Sequence, residues 1–233
     1  MKAFAIVIKN NPVSEHGFSV LRESSEYVGN DFEIERFDAY NPHAAFEFTS
    51  DPNNGVVWSY PWEGEELDMM YGLKKRAYET VNPYARVGCF LSHYHLWKKA
   101  VELKEDILIL EHDAVFTKRY YRPLNNHDSV ISINDPRGCT RKSLVYHQSI
   151  QCSMERYVPC PWVDADRAIP QGLPGNSAYV IGHIMARRTI DFVRVLGAWP
   201  NDALLCKQIF PERLWCLRDY ATTVQKLGST TSS

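Results

Sequence analysis

Ile107-Leu108-Ile109-Leu110-Glu111-His112-Asp113 is the stretch on which the reading of this chain turns. Its four apolar residues are too few for a helix of ordinary length and fit a strand buried on both faces. Lys104-Glu105-Asp106 precedes the run as a polar turn, and two carboxylates flanking an imidazole end it abruptly. Upstream, Asn82-Pro83 places a capping side chain before proline at the first helical position, which predicts a helix from there to about Leu103. Within it Val87, Phe90, Leu91, Tyr94, Trp97 and Val101 recur at offsets of three and four. One apolar stripe is therefore expected, with Lys98, Lys99 and Glu102 on the far side. A helix, a polar turn and a buried strand in succession belong to a layered α/β domain.

The flanking sequence extends that unit in both directions. Residues 3–8 form a second continuous apolar run, a helix is expected over Ser14–Val28, and Phe32–Phe37 alternates apolar with charged residues as a half-exposed strand does. Val130–Ile133 and Ala178–Ile181 read as further strands and Met185–Leu196 as a helix. Residues 41–83 are punctuated by Asn-Pro, Asp-Pro and Asn-Asn-Gly and carry Trp58 and Trp62, so they read as an aromatic loop whose rings either stack on a ligand or cover the core edge. Residues 134–176 read as irregular. The expectation is one domain over residues 1–227 with a mostly parallel central sheet flanked by helices, followed by a flexible tail at 228–233.

Composition narrows the function. The 233 residues are 45% hydrophobic and 23% charged, enough to bury a core and unlike a disordered chain or a coiled coil. Twenty-six Lys and Arg against 28 Asp and Glu leave a net charge of −2, which gives no global basic field for a nucleic acid. The apolar start at Ala3–Ile8 is interrupted by Lys9-Asn10-Asn11, well short of a signal-peptide core or a membrane span. The six cysteines show neither C-x-x-C pairs nor zinc spacing. Free thiols and a cytoplasmic location are the expectation.

In open α/β sheets ligands bind beyond the carboxyl ends of the strands, which is where Glu111, His112 and Asp113 fall. Clustered carboxylates repel one another unless hydrogen bonds or a hard cation satisfy them, and Mg²⁺ or Mn²⁺ bridging a diphosphate is one solution. Capping of the following loop by the same two carboxylates is the other. Phosphate-binding loops of the form G-x-x-x-x-G-K-[ST] or G-x-G-x-x-G are missing, as is a G-x-S-x-G nucleophile elbow.

Arg86-Val87-Gly88-Cys89-Phe90-Leu91-Ser92-His93-Tyr94-His95-Leu96-Trp97, followed by Ile107 through Val115, closely resembles the G-C-x-x-S-H…W and I-L-E-D-D-x signatures of glycosyltransferase family 25. Glu35–Ala39 and Ser177–Ile181 echo it more weakly. The resemblance implies a GT-A type nucleotide-sugar-binding fold, a nucleotide-sugar donor such as UDP-galactose, and a divalent cation. The chain departs from the pattern at His112, which stands where the family has its second acidic residue.

On this reading Asp113 is the first metal ligand and Glu111 the second, with Mn²⁺ favoured over Mg²⁺ if the His112 imidazole joins them. Ser92 and His93 are candidate donor contacts, although a histidine at that place also serves as scaffold. Asp202, where the family carries a further acidic residue, is the candidate acceptor contact or general base, set against the plainer reading of the same residue as a helix N-cap. The reaction implied is transfer of a hexose from a UDP-sugar to a hydroxyl on a glycan or glycolipid. Transfer to a hydroxymethylated base in phage DNA and a nucleotide-sugar binder without catalysis are the alternatives.

Overall fold

The structure, a computed structural model, describes residues 1–78, 80–122, 127–138 and 141–227. The expected tail at 228–233 lies outside them, as does Cys139. In chain order the elements are β1 (Lys2–Val7), α1 (Pro12–Tyr27), β2 (Ile34–Asp38), α2 (Pro42–Ser50), β3 (Glu65–Asp68), β4 (Leu73–Arg76), α3 (Pro83–Leu103), β5 (Ile107–Glu111), β6 (Ala114–Phe116), β7 (Val130–Ser132), α4 (Ser143–Gln151), β8 (Tyr157–Pro159), β9 (Ala178–Ile181), α5 (His183–Leu196), α6 (Asn201–Leu204), β10 (Leu214–Leu217) and β11 (Thr222–Val224).

Seven strands form the central sheet in the order β2-β1-β5-β9-β7-β10-β8. Strands β2, β1, β5, β7 and β10 run one way, and β9 and β8 run against them. The sheet is thus mixed, with most strands sharing a direction as expected. Inserting the antiparallel β9 beside β5 has a consequence for the site. It brings the residues just before β9, Asn176 and Ser177, to the carboxyl end of β5, where Glu111 N–H donates to the Ser177 carbonyl at 2.8 Å. Apolar side chains fill both faces of the sheet. One face packs against α2, α3 and α5, and the other against α1, β6 and β11.

Asn11 caps α1 by accepting from Ser14 N–H at 3.0 Å, with Pro12 at the first helical position. The same device starts α3, where Asn82 caps and Pro83 follows. The single stripe expected on α3 is not what forms. Gly88, Ser92, His93, Leu96 and Ala100 are buried along with Val87, Phe90, Leu91, Tyr94 and Trp97, because α2, α5 and the sheet enclose the helix on several sides. Lys98 and Glu102 do reach solvent as expected. Residues 41–83 are also more ordered than an aromatic loop, with α2 capped by Asn41 and a β3–β4 hairpin. Residues 134–176 hold α4 and β8. Among the described residues no helix is long and apolar enough to cross a membrane, and Cys89, Cys152, Cys160, Cys206 and Cys216 are free thiols.

Candidate active site

A cleft of about 710 Å³ opens at the carboxyl end of β5. Its walls include Glu111 from β5, Arg86 and Cys89 from the start of α3, Tyr78 after the hairpin, Asn176 before β9 and Asp202 on α6. Basic side chains Lys74, Arg76, Arg141 and Lys142 stand around it.

The turn after β5 is held from below. Gln225, following β11, donates its backbone N–H to the Asp113 carbonyl and its side-chain amide to the carbonyls of His112 and Ala114, at 3.2 and 2.9 Å. The same amide reaches the Gly17 carbonyl at 2.9 Å. Position 17 must be glycine, since a Cβ there would stand 2.6 Å from the His112 carbonyl oxygen. Helix α1 and the C-terminal strand therefore clamp Glu111-His112-Asp113 between them.

Behind the cleft wall lies a closed polar relay. Trp97 Nε1 donates to the Tyr179 hydroxyl at 3.0 Å, Tyr179 meets His93 Nδ1 at 2.8 Å, and His93 Nε2 meets Glu111 Oε1 at 3.2 Å. Burial pushes the Glu111 carboxyl up, but the hydrogen bond and charge of His93 outweigh it and hold the group below its usual range. Asp113 goes the other way. Burial and the adjacent Glu111 charge push its carboxyl up to about 7 despite a hydrogen bond from Ser177. Two carboxylates two residues apart thus have opposite ionisation tendencies, set by which of them has a histidine partner.

Several polar atoms at this end of β5 have no partner among the described residues: Asp113 Oδ1, both amide atoms of Asn176, and Arg86 Nε. Buried polar atoms without partners are uncommon in native proteins and mark where a ligand can complete the set. The Arg86 guanidinium lies over the Tyr78 ring, 4.3 Å from its centroid, and Tyr78 donates its hydroxyl to Asp202 Oδ2 at 2.9 Å. Asp202 is open to the cleft, yet the surrounding protein desolvates its carboxyl and raises it above the ordinary aspartate range.

The sequence-predicted residues divide into two groups. Glu111 and Asp202 line the cleft, and Asp113 sits beside Glu111 with an unpaired oxygen. Ser92 and His93 do not face the cleft. Ser92 accepts from Tyr40 N–H at 3.0 Å and donates to the Gly88 carbonyl at 2.8 Å, both inside the core. His93 is 0% exposed with both ring nitrogens engaged. Both expected donor contacts thus lie behind the cleft wall, because helix α3 is enclosed on the side that carries them. His112 turns to the Ile6 carbonyl, and burial lowers its imidazole pKa.

Glu111 and Asp113 offer hard carboxylate oxygens, and the unpaired Asp113 Oδ1 and Asn176 Oδ1 are of the same kind, a donor set that fits Mg²⁺ or Mn²⁺. Cys89, His93 and Glu111 also come within 4.8 Å of one another. That set suits a metal less well, since burial holds the Cys89 thiol protonated and His93 is committed to Tyr179 and Glu111. Sequence reasoning missed Tyr78, Arg86 and Asn176. Of these only Arg86 carried a signal, as the first residue of the Arg86–Trp97 motif.

Comparison with solved structures shows similarity to an active-site mutant of LgtC (TM-score 0.48, 10% identity, 99% of this chain and 89% of that one). A crystal structure of the galactosyltransferase LgtC with donor and acceptor sugar analogues gives 0.46 and 11%, over 99% and 88%. Among curated proteins, "Glycosyltransferase 25 family member" of Drosophila pseudoobscura pseudoobscura is 31% identical over 121 residues, and its counterpart in Drosophila melanogaster is 31% identical over 122. Those matches take in 51% of this chain and only 17% and 18% of the relatives' length. The model of glycosyltransferase family 25, described as LPS biosynthesis protein, matches residues 22–204. That span runs from α1 to α6 and includes the relay, the Glu111-His112-Asp113 turn and Asp202, and on it the chain belongs to glycosyltransferase family 25.

Proposed function

We propose that residues 1–227 act as one glycosyltransferase domain of GT-A type, moving a hexose from a UDP-sugar to a hydroxyl on a glycan or glycolipid. The observation that carries this reading is the placement of Glu111 on the wall of the cleft at the end of β5, with the unpaired Asp113 Oδ1 beside it and the unpaired Arg86 Nε and Asn176 amide on the same walls. Glu111 and Asp113 would hold a divalent cation, Mn²⁺ or Mg²⁺, which supplies charge neutralisation for a leaving diphosphate. Arg86, with an unpaired Nε, is placed to donate to the same phosphates.

Asp202 is the proposed base for the acceptor hydroxyl. Its raised carboxyl moves toward the pH at which a base both exists ionised and accepts a proton effectively. Tyr78 orients it through the 2.9 Å hydrogen bond. An aromatic shelf supports a sugar acceptor: Trp58 and Trp62 stack at 5.7 Å between ring centroids, with Tyr84 beside Trp62. These rings border the cleft through Tyr60, Tyr78 and Arg86, and ring faces of this kind bind the apolar side of a pyranose.

The test is release of free UDP from a panel of UDP-hexoses with Mn²⁺, run with and without short glycan acceptors and with hydroxymethylated DNA. Release that rises only with a glycan is the expected result. Release driven only by DNA moves the acceptor to the nucleic acid, and binding of the donor with no release under any condition makes the protein a binder without catalysis.

A further inference from the structure

Ligand-type side chains also converge at the opposite, amino-terminal end of β5. Asp106, the residue before the strand, is 2% exposed. His127 Nδ1 lies 2.8 Å from Asp106 Oδ1, and His183 Nδ1 lies 3.4 Å from the same oxygen. One donor atom from each of the three residues falls within 4.8 Å of the other two. We propose that Asp106, His127 and His183 form a second metal site, for a borderline dication of the Zn²⁺ class.

Three observations support it. The spacing fits, because ligands about 2.0 to 2.1 Å from a tetrahedral ion lie about 3.3 Å from each other, so small side-chain adjustments place all three around one ion. The donor set fits, because two imidazoles and one carboxylate suit Zn²⁺ and not the oxygen-seeking Mg²⁺ or Ca²⁺. The frame is fixed in advance: the His127 carbonyl accepts from Ile184 and Met185 N–H at 2.9 and 3.2 Å, so His127 is locked to the first turn of α5, which His183 begins. A buried carboxylate also needs charge compensation, and the nearest guanidinium, Arg122, reaches only Oδ2, at 3.8 Å. It would serve as the outer partner that ligating carboxylates commonly have. His127 is 44% exposed, which leaves a fourth position open to water.

A metal here would tie the start of β5 to α5, well away from the cleft, and so would act on stability. The test uses the full chain with Glu111→Gln and Asp113→Asn, which disables both ligand sets around the cleft, stripped by a chelator and titrated with Zn²⁺ alone. Uptake of one equivalent with a rise in Tm is expected, and Co²⁺ as a spectroscopic probe should give the visible bands of a low-coordinate site. Adding His127→Ala, on an exposed side chain, should weaken Zn²⁺ by about tenfold or more. His183→Ala should do the same. No uptake, or uptake unaffected by His127→Ala, overturns the site and leaves a hydrogen-bonded clamp only. The cleft plays no part in either outcome, so the glycosyltransferase reading stands or falls separately.

Discussion

The cleft wall and the layer directly behind it hold similar residue types, finished to different degrees. Behind the wall, Trp97, Tyr179 and His93 satisfy one another and end on Glu111. On the wall itself Asn176 and Arg86 keep polar atoms unpaired, as does Asp113 next to Glu111. A relay without loose ends positions, since any ligand would have to break bonds already made. A set of unpaired atoms binds, since a ligand there removes a desolvation cost that folding leaves standing. On the proposed function the first layer would hold residues and the second would touch the substrate, so substitutions in the two layers should differ in kind.

The largest effect is expected at Asp113. Asp113→Asn keeps the shape and removes the charge, so transfer should fall by about 10²- to 10³-fold or more, as loss of a preorganised charge does. Folding should respond in the opposite direction. The Asp113 carboxyl rises on folding from 3.8 to about 7. An acid shifted upward lends its stability in full below the unfolded value and loses it as pH rises through the folded one. Metal-free wild type should therefore lose Tm between about pH 4 and pH 7 by more than Asp113→Asn does. Near-normal turnover in the variant with saturating Mn²⁺ would move Asp113 out of the binding layer.

Trp97→Ala should cost about 3 to 5 kcal/mol of stability, as removal of a large core side chain does, with turnover per folded molecule retained at low temperature. Trp97 is 0% exposed, and its loss also strips a donor from Tyr179. His93→Ala should be smaller in stability, about 1 to 3 kcal/mol for leaving buried partners unsatisfied. It should also let the Glu111 carboxyl rise, because His93 does most to hold it down, ahead of His112 and Arg86. The acid limb of the pH–activity profile then moves to higher pH. A His93→Ala protein with wild-type Tm and weakened UDP affinity would put this histidine in the binding layer, where sequence reasoning placed it.

How the two layers were read from sequence follows from what each kind of signal reports. Ile107–Leu110 and the Asn82-Pro83 cap were legible because apolar runs and caps are local. The enclosure of α3 was not, since it depends on α2 and α5, which arrive from distant sequence. Helix α2 carries the same Asn-Pro start as α3, but only Ala45 of it is buried, so no apolar periodicity reinforced the cap. The β3–β4 hairpin is built on Glu65-Glu66-Leu67-Asp68, mostly exposed and charged, with no strand-like alternation. Helix α4 starts at Lys142 in a left-handed conformation without a side-chain cap. The direction of β9 cannot be read from an apolar run at all, and that direction is what delivers Asn176 and Ser177 to the site.

The smallest expected effect lies at Tyr78, which belongs to both layers: its ring supports Arg86 and its hydroxyl donates to Asp202. Tyr78→Phe keeps the ring and deletes only the hydrogen bond. Such a bond is worth about 0.5 to 1.5 kcal/mol, or up to about 3 when the acceptor is charged, so Tm should change little. The informative readout is the pH profile. Tyr78 lowers the Asp202 carboxyl against the burial that raises it, so without the hydroxyl that carboxyl climbs further. If Asp202 is the base, the acid limb of transfer shifts to higher pH in Tyr78→Phe, while donor affinity, which depends on the retained ring beneath Arg86, stays as it was. An unchanged profile with weakened UDP binding would assign Tyr78 to the phosphates through Arg86 and remove Asp202 from proton transfer.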